Sequence, residues 1–417
     1  MDKMADVLGR AGAWCGQNKY LSAIKNAFQN FMPLTIAGAI GVLWCNVLVN
    51  ESTGLGIFFK PIMALEFLNP AFQAVNFCTI SCITVGITLG IAQEIGVWNM
   101  GAEKAGYIPG LVGLAAWLSV TNTSHMVEGA KEAFTGIAGN ELGATGLFTG
   151  MIIGVLSVEL FCFFEKQDAL KIKMPEQVPP GVARAFEVLV PATITLIITA
   201  CIGSACYNLT GLYLNDVIKN GIQGPLGAVG ATIPGVMIIY LVIMLFWLVG
   251  IHGNNMLSAV KEALFTPLAL ENVEKFNKGE KPTNIINMYA LQMWGEFGGS
   301  GVTIGLVIAI MIFGKREDNK AIASLSLVPG LFNINETVTF GVPMVLNPIL
   351  GIPFVVAPLI TIIIGYVLTV IGFCPVACLT VPWTTPPIVF GFLACGANVM
   401  GAVTQAILIV VSTVIYV

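Results

Sequence analysis

The chain has 417 residues, of which 56% are hydrophobic and only 10% are charged. A soluble domain carries about 25% charged residues, so this composition argues against an ordinary soluble protein. The net charge of −4 comes without a basic block, which makes nucleic acid a poor match as a partner. Since the apolar runs are long and do not alternate, the sequence predicts an all-α polytopic membrane protein rather than a barrel.

The elements follow in chain order from a polar start. Residues 1–28 are too polar for a signal peptide and predict an amphipathic helix leading into the first span. Candidate spans cover about 31–50, 71–93, 107–120, 144–164, 186–207 and 226–251, and later apolar segments cover about 285–313, 349–373, 375–397 and 399–417. Lys and Arg clusters before the first span, between the fourth and fifth, and after the sixth predict one cytoplasmic side that includes the N-terminus.

Two later segments are interrupted and predict re-entrant hairpins. Residues 282–314 have basic residues on both flanks and contain WGEFGGSG in the middle, and residues 321–347 are broken by Pro, Gly and Asn. Irregular backbone at membrane depth is tolerated only where it lines a cavity or is buried in protein. The proline-rich stretch MPEQVPP near residue 177 divides the chain into a first half of plain spans, 1–183, and a second half, 184–417, that holds both hairpins.

Glu336, in PGLFNINETVTFGVP, is the first candidate site residue. From residue 321 to 417 the sequence has no Lys, Arg, Asp or His, and this is its single Glu. A charge near the bilayer centre costs about 2.5–3.5 kcal/mol, so such a carboxylate is expected to face a cavity or a ligand. The structural alternative is a carboxylate that caps a helix within the hairpin. The neighbouring Asn333 and Asn335 favour a hydroxyl-rich ligand.

His252, in WLVGIHGNNM, is the second candidate. It is one of two histidines and is followed by Gly and Asn residues that allow a helix to stop. It is interpreted as a ligand contact or a proton carrier, with a plain helix cap as the alternative. His125, in a polar loop, is assigned no role.

Trp383, in VPWTTPPI, is the third candidate. The prolines of this stretch prevent a regular helix, and an indole beside polar groups is a typical platform for a sugar ring. The alternative is a tryptophan at the membrane interface. Trp294 is a weaker candidate of the same kind. Together these groups suit a neutral polyhydroxylated substrate. The ten cysteines lie mostly inside apolar runs, and we expect neither a disulfide framework nor a metal or cofactor site.

Three stretches resemble one known family. SLSLVPGLFNINETVTFGVPMVLNPILGIPFVVAPL, WLVGIHGNNM and FGGSGVT are similar to the sugar-translocating IIC component of the phosphoenolpyruvate-dependent phosphotransferase system, in its lactose/cellobiose/chitobiose subgroup. The resemblance covers essentially the whole chain, which is expected to stop slightly short of the usual polar C-terminal tail. Glu296, in WGEFGGSG, stands where the family usually has a neutral residue. If this side chain faces the sugar, the sugar specificity is expected to differ.

The resemblance implies about ten transmembrane helices, two re-entrant hairpins and a homodimer in the bacterial cytoplasmic membrane. The first half would hold the dimer together, and the second would carry a β-linked disaccharide across in an elevator-type movement. The sugar's C6 hydroxyl would then be phosphorylated by a phosphocysteine on a separate IIB protein, which is recharged by IIA. The residues implied are Glu336 and His252 at the C6 end, Trp383 against the ring, and Asn254, Asn335, Ser300, Thr283 and Asn140 around it.

Other functions remain open from the residues alone. A proton-coupled secondary transporter would use Glu336 and His252 as proton carriers and release unmodified sugar. A channel would need no sugar platform. The chain has no phosphoryl carrier of its own, so whether it counts as an enzyme stays open.

Overall fold

A computed structural model describes residues 2–51, 56, 59–125, 133–175, 177–342, 344 and 347–417. The α-helices are, in chain order, α1 (Asp2–Gln17), α2 (Lys19–Leu43), α3 (Asn69–Cys78), α4 (Ile83–Met100), α5 (Ala102–Ala105), α6 (Ile108–Val120), α7 (Gly139–Leu142), α8 (Ala144–Glu165), α9 (Pro180–Thr210), α10 (Leu214–Ile218), α11 (Gly224–Gly230), α12 (Ile233–Leu248), α13 (Gly253–Asn277), α14 (Met288–Gly295), α15 (Ile304–Phe313), α16 (Glu317–Leu331), α17 (Glu336–Gly341), α18 (Pro348–Val370), α19 (Val389–Ala394) and α20 (Val399–Tyr416).

Other regular structure is brief. Trp44–Leu48 and Lys219–Gln223 are π-helical, and Lys60–Leu68, Ile80–Cys82 and Asp168–Leu170 form 3-10 helices. Strands β1 (Ser124–His125) and β2 (Phe134–Thr135) pair antiparallel.

Six stretches of the described chain are long and apolar enough to cross a membrane. They are Lys19–Leu48, Lys60–Met100, Ala144–Glu165, Pro180–Thr210, Ile349–Val370 and Val399–Tyr416. Three shorter apolar helices are Ile108–Val120, Ile233–Leu248 and Ile304–Phe313. The prediction of an all-α membrane protein is confirmed.

The N-terminal region differs in detail from the sequence prediction. One amphipathic helix was expected over residues 1–28, but the helix is interrupted at Asn18. The Asn18 Oδ1 atom accepts hydrogen bonds from the backbone N–H groups of Tyr20 and Leu21, each at 3.1 Å. The side chain therefore satisfies donors at the start of α2 that have no partner inside the helix.

The contacts divide the chain into two compact units. Unit 1 comprises Met1–Gln17, Thr35–Phe77 and Gly227–Val417, and unit 2 comprises Asn18–Leu34 and Cys78–Leu226. The boundary expected at 183/184 falls inside helix α9, whose proline start follows the non-helical described residues of 171–179.

Unit 2 is built on close packing of α4, α6 and α8. A Cβ atom at Gly150 of α8 would lie 2.2 Å from the Thr88 Oγ1 atom of α4, and one at Gly113 of α6 would lie 2.3 Å from the Ala92 Cβ atom. Small residues at such positions let helix backbones approach closely, which is the main source of association energy inside a membrane.

We predict that Gly150→Ala lowers the unfolding temperature of the protein in detergent. Overpacking of a close contact costs about 1–3 kcal/mol, which outweighs the better helix propensity of alanine. The matched control is Gly181→Ala in α9, where the added Cβ atom meets nothing within 4 Å. Equal unfolding temperatures for the two variants would contradict the packing argument.

Unit 1 contains the interrupted segments. A short helix, α14, is followed by an irregular stretch at 296–303 and then by α15, while α16 and α17 are separated by residues 332–335. In the apolar segment 375–397, only α19 is helical, because the prolines before α19 prevent a longer helix. One buried cluster packs beside these breaks and includes Ile243, Met244, Trp247, Leu306, Val307, Val338 and Phe354.

Candidate functional site

Glu336 and His252 face each other across two of the interruptions in unit 1. The Glu336 Oε1 atom lies 3.7 Å from the His252 Nε2 atom, and the side chains are 47% and 35% exposed. This separation is too long for a direct hydrogen bond, and the exposure leaves both groups open to a ligand. The structure therefore brings together the two residues that the sequence singled out separately.

The orientation of His252 is fixed from its other side. Its Nδ1 atom accepts a hydrogen bond of 3.2 Å from the backbone N–H of Asn255, so the ring caps the start of α13. A nitrogen that accepts cannot carry the proton, so in the neutral ring the proton lies on Nε2 and points toward Glu336. The Trp247 ring supports the imidazole at a centroid distance of 4.5 Å.

The expected local structure around His252 was only partly right. The sequence placed His252 at the end of a span and read the following Gly and Asn residues as a helix stop. The structure ends α12 at Leu248 and begins α13 at Gly253, so Asn254 and Asn255 belong to the next helix. His252 is thus an N-terminal cap as well as a partner of Glu336.

The position of Glu336 at the start of a helix is also favourable for local structure. It is the first residue of α17, where a negative charge interacts favourably with unpaired backbone N–H groups. The preceding Asn335 makes no side-chain cap. The structural and the functional interpretations of Glu336 are therefore compatible.

Asn254, Ser300 and Asn335 form a second group next to the first. Asn254 donates from Nδ2 to the Ser300 Oγ atom at 2.9 Å, and Asn335 donates from Nδ2 to the Ser300 carbonyl oxygen at 3.0 Å. Asn335 also donates to the Thr339 Oγ1 atom at 3.0 Å, so both protons of its amide are used inside the protein. Three predicted site residues are thus joined.

The backbone between α14 and α15 has an unusual conformation. Gly299 has a φ of +89°, and a Cβ atom there would lie 2.7 Å from the Asn335 side chain, so only glycine fits. Val302 has a φ of 49°, which is strained for a β-branched residue. Strain of this kind persists only where the surroundings enforce it, and it is concentrated at functional sites.

Asn333 ties three interrupted segments together. Its Oδ1 atom accepts from the Gly298 backbone N–H at 2.6 Å, and its Nδ2 atom donates to the carbonyl oxygens of Trp383 and Thr385 at 2.5 and 3.1 Å. Both ends of the amide are therefore used inside the protein. These hydrogen bonds give Asn333 a positioning role for the segment that carries Trp383, and its contact with a ligand stays a prediction. The Trp383 side chain itself is 44% exposed.

Glu296 has partners that the sequence did not reveal. It forms an ion pair with Lys261 of α13, and its Oε1 atom accepts a hydrogen bond of 2.7 Å from the Tyr240 hydroxyl of α12. The only signal in the sequence was the helical spacing that places Lys261 on the same face of α13 as Asn254.

Among the hydrogen bonds of the described residues, the other named residues take no part in these contacts. The Thr283 Oγ1 atom accepts from Lys275 Nζ at 2.6 Å, and its backbone N–H donates to Asn272. Asn140 is an exposed residue of α7 in unit 2. Trp294 is 1% exposed and belongs to the core. Among the described residues, no group of three or more His, Cys, Asp or Glu could hold a metal ion.

The comparisons with known proteins decide the family. Residues 25–358 match the family described as "Phosphotransferase system, EIIC". The chain belongs to this family. It is therefore a membrane component of a phosphotransferase system for sugar transport.

Relatives of the cellobiose and lactose type support this assignment. The chain is 32% identical to the oligo-beta-mannoside-specific EIIC component of Bacillus subtilis (strain 168), over 100% of this chain and 92% of the relative. It is 30% identical to the cellobiose-specific EIIC component of Lactococcus lactis subsp. lactis (strain IL1403), over 99% and 96%. The crystal structure of the transporter ChbC, the IIC component of an N,N'-diacetylchitobiose-specific system, matches with a TM-score of 0.88 and 29% identity, over 97% and 93%.

We predict that Asn333→Ala destabilises the site of this EIIC protein. The substitution leaves one backbone N–H and two carbonyl groups without their partner, and each lost hydrogen bond costs about 0.5–1.5 kcal/mol. The unfolding temperature in detergent should fall by several degrees more than for Asn208→Ala, whose amide makes one 3.5 Å contact at an exposed position. A fall no larger than that of Asn208→Ala would refute the positioning role of Asn333.

Proposed function

We propose that the chain translocates a β-linked disaccharide of the cellobiose, chitobiose or lactose type across the bacterial cytoplasmic membrane. The observation that carries the proposal is the pair formed by Glu336 and His252, 3.7 Å apart and accessible within interrupted apolar segments. Around it lie the amide and hydroxyl groups of Asn254, Ser300 and Asn335 and, on a neighbouring segment, the exposed indole of Trp383. Such groups match the polar edges and apolar faces of a neutral sugar.

The pair also supports a role in phosphorylation. We infer that the sugar's C6 hydroxyl binds between Glu336 and His252, where the carboxylate accepts its proton and the imidazole Nε2–H donates to its oxygen. The hydroxyl oxygen then attacks the phosphorus atom of a phosphocysteine on IIB, the P–S bond breaks, and the thiolate leaves. Positioning accounts for most of the rate in such a transfer.

The partners and membrane arrangement are part of the same proposal. A IIB protein would dock from the cytoplasm, where the N-terminus also lies, and IIA would recharge it. The lactose-specific EIICB component of Streptococcus mutans is 27% identical over 96% of this chain, and its name combines the IIC and IIB components. We propose about ten spans, two re-entrant hairpins in 282–314 and 321–347, and a homodimer. In the same proposal, residues 1–183 provide the scaffold and 184–417 carry the sugar.

The decisive experiment measures uptake in vesicles supplied with IIA, IIB and labelled β-linked disaccharides. Phosphorylated sugar inside the vesicles is the expected product. Unmodified sugar that accumulates with a proton gradient would instead identify a secondary transporter.

We predict that Glu336→Gln abolishes sugar phosphorylation and changes disaccharide affinity by less than about tenfold. The amide keeps the shape and a hydrogen-bonding oxygen but cannot accept the hydroxyl proton, and general-base catalysis is worth about 10²–10⁴-fold in rate. Sugar phosphate formation and equilibrium binding are measured in parallel. Glu317→Gln, an exposed acid at the start of α16, is the control and should behave as the unaltered protein. A normal phosphorylation rate in Glu336→Gln would exclude the assigned role.

We predict that Trp383→Ala weakens disaccharide binding by about tenfold or more, since loss of an aromatic platform removes contact area from the sugar ring. Trp383→Phe keeps a ring and should retain most of the affinity. Trp98→Ala, at an exposed position in unit 2, is the control. Unchanged affinity in Trp383→Ala, measured by calorimetry, would remove this residue from the site.

A further inference from the structure

A buried pair of opposite charges lies directly behind the candidate site. The side chains of Lys261 and Glu296 are 7% and 16% exposed, and they are in direct contact. Tyr240 donates to the same carboxylate oxygen of Glu296. A buried ion pair is weak evidence for stability, because desolvation offsets the attraction between the charges. The pair therefore calls for a role other than stabilising the fold.

Lys261 makes a second contact that reaches the site. Its Nζ atom lies 3.3 Å from the Asn254 Oδ1 atom. An ammonium group can only donate, so the oxygen of the Asn254 amide must face Lys261 and the NH₂ group must face away from it. Glu296 holds Lys261 in place, and Lys261 thus fixes the orientation of the Asn254 amide.

The amide orientation in turn decides the hydrogen-bonding role of Ser300. With its NH₂ group turned away from Lys261, Asn254 donates to the Ser300 Oγ atom at 2.9 Å. The serine oxygen is then an acceptor, and its own proton is left for another group. Among the hydrogen bonds of the described residues, Ser300 Oγ appears only in this contact, and the residue is 3% exposed.

We propose that Lys261 and Glu296 are positioning residues that make the Ser300 hydroxyl a donor to an oxygen atom of the bound sugar. This inference rests on the proposed function, and it names the group that Ser300 recognises: a sugar hydroxyl whose oxygen accepts a hydrogen bond. Glu296 does not reject or bind charged sugars, because Lys261 neutralises it. Through Lys261, Glu296 instead fixes the orientation of the Asn254 amide.

The first test separates positioning from stability with Lys261→Met, Glu296→Gln and the double variant. Each single variant leaves one buried group without its partner and should lower both the unfolding temperature and the affinity. The double variant removes both charges and should recover the unfolding temperature. The probe is the disaccharide that the unaltered protein binds best among cellobiose, lactose, chitobiose and mannobiose. The affinity of the double variant for this sugar should stay at least about tenfold weaker, as expected for one lost hydrogen bond.

The exposed pair Lys278–Glu274, at 58% and 42% exposure, supplies the matched control. Lys278→Met with Glu274→Gln should change neither quantity. Recovery of full affinity in the Lys261/Glu296 double variant would overturn the proposal, and so would full affinity in Lys261→Met. If the unaltered protein bound none of the four sugars, the proposed function would fail, and the inference with it.

A second test does not depend on how well the charge variants fold. Monodeoxy and monodeoxyfluoro derivatives of the best-bound disaccharide are compared, because fluorine can accept weakly but cannot donate. At one sugar position, the unaltered protein should bind the fluoro derivative about tenfold more tightly than the deoxy derivative. Ser300→Ala should remove this preference. Absence of the preference at every position, or its survival in Ser300→Ala, would overturn the proposal.

Discussion

The candidate site depends on side-chain amides that complete hydrogen bonds the backbone cannot make for itself. In an apolar environment every interrupted helix leaves N–H and C=O groups that need partners inside the protein. Asn272 is 0% exposed and accepts from the backbone of Thr283 and Asn284 while it donates to Asn284 and Ala377. Asn287 also donates to Ala377. Asn333 does the same between the segments that carry Gly298 and Trp383.

This use of amides explains how one region can be irregular and still have hydrogen-bond partners for its backbone. The chain near residue 300 has several residues with positive φ, including the strained Val302, yet the Ser300 and Gly298 carbonyl oxygens both accept side-chain hydrogen bonds. A rigid irregular backbone can present groups to a ligand that a regular helix would hide. His252 and Ser300 are held at the breaks in this way by hydrogen bonds with neighbouring residues.

The sequence predicted the class of fold, the positions of most long helices and the pair at the centre of the site. It could do so because apolar runs and an isolated carboxylate are local signals, and because the motif around Glu336 is specific. It could not show which amides are bonded to backbone groups of the protein itself. Asn333 and Asn335 are two residues apart, and only the tertiary contacts show that the donors of both amides are used inside the protein. The partnership of Lys261 with Glu296 is likewise a contact across 35 positions that no local pattern records.

The last described helix, α20, has a consequence for biosynthesis. Gln405 accepts from the backbone of Ile388 and Gly391 and donates to the Met293 carbonyl 112 positions upstream, and the Tyr416 hydroxyl donates to the Gly301 carbonyl 115 positions upstream. A ribosome makes the chain from its N-terminus, so these upstream groups leave the exit tunnel well before their partners exist. The segment around Met293 and Gly301 must therefore wait, either hydrated or shielded by the insertion machinery, until α20 has been translated.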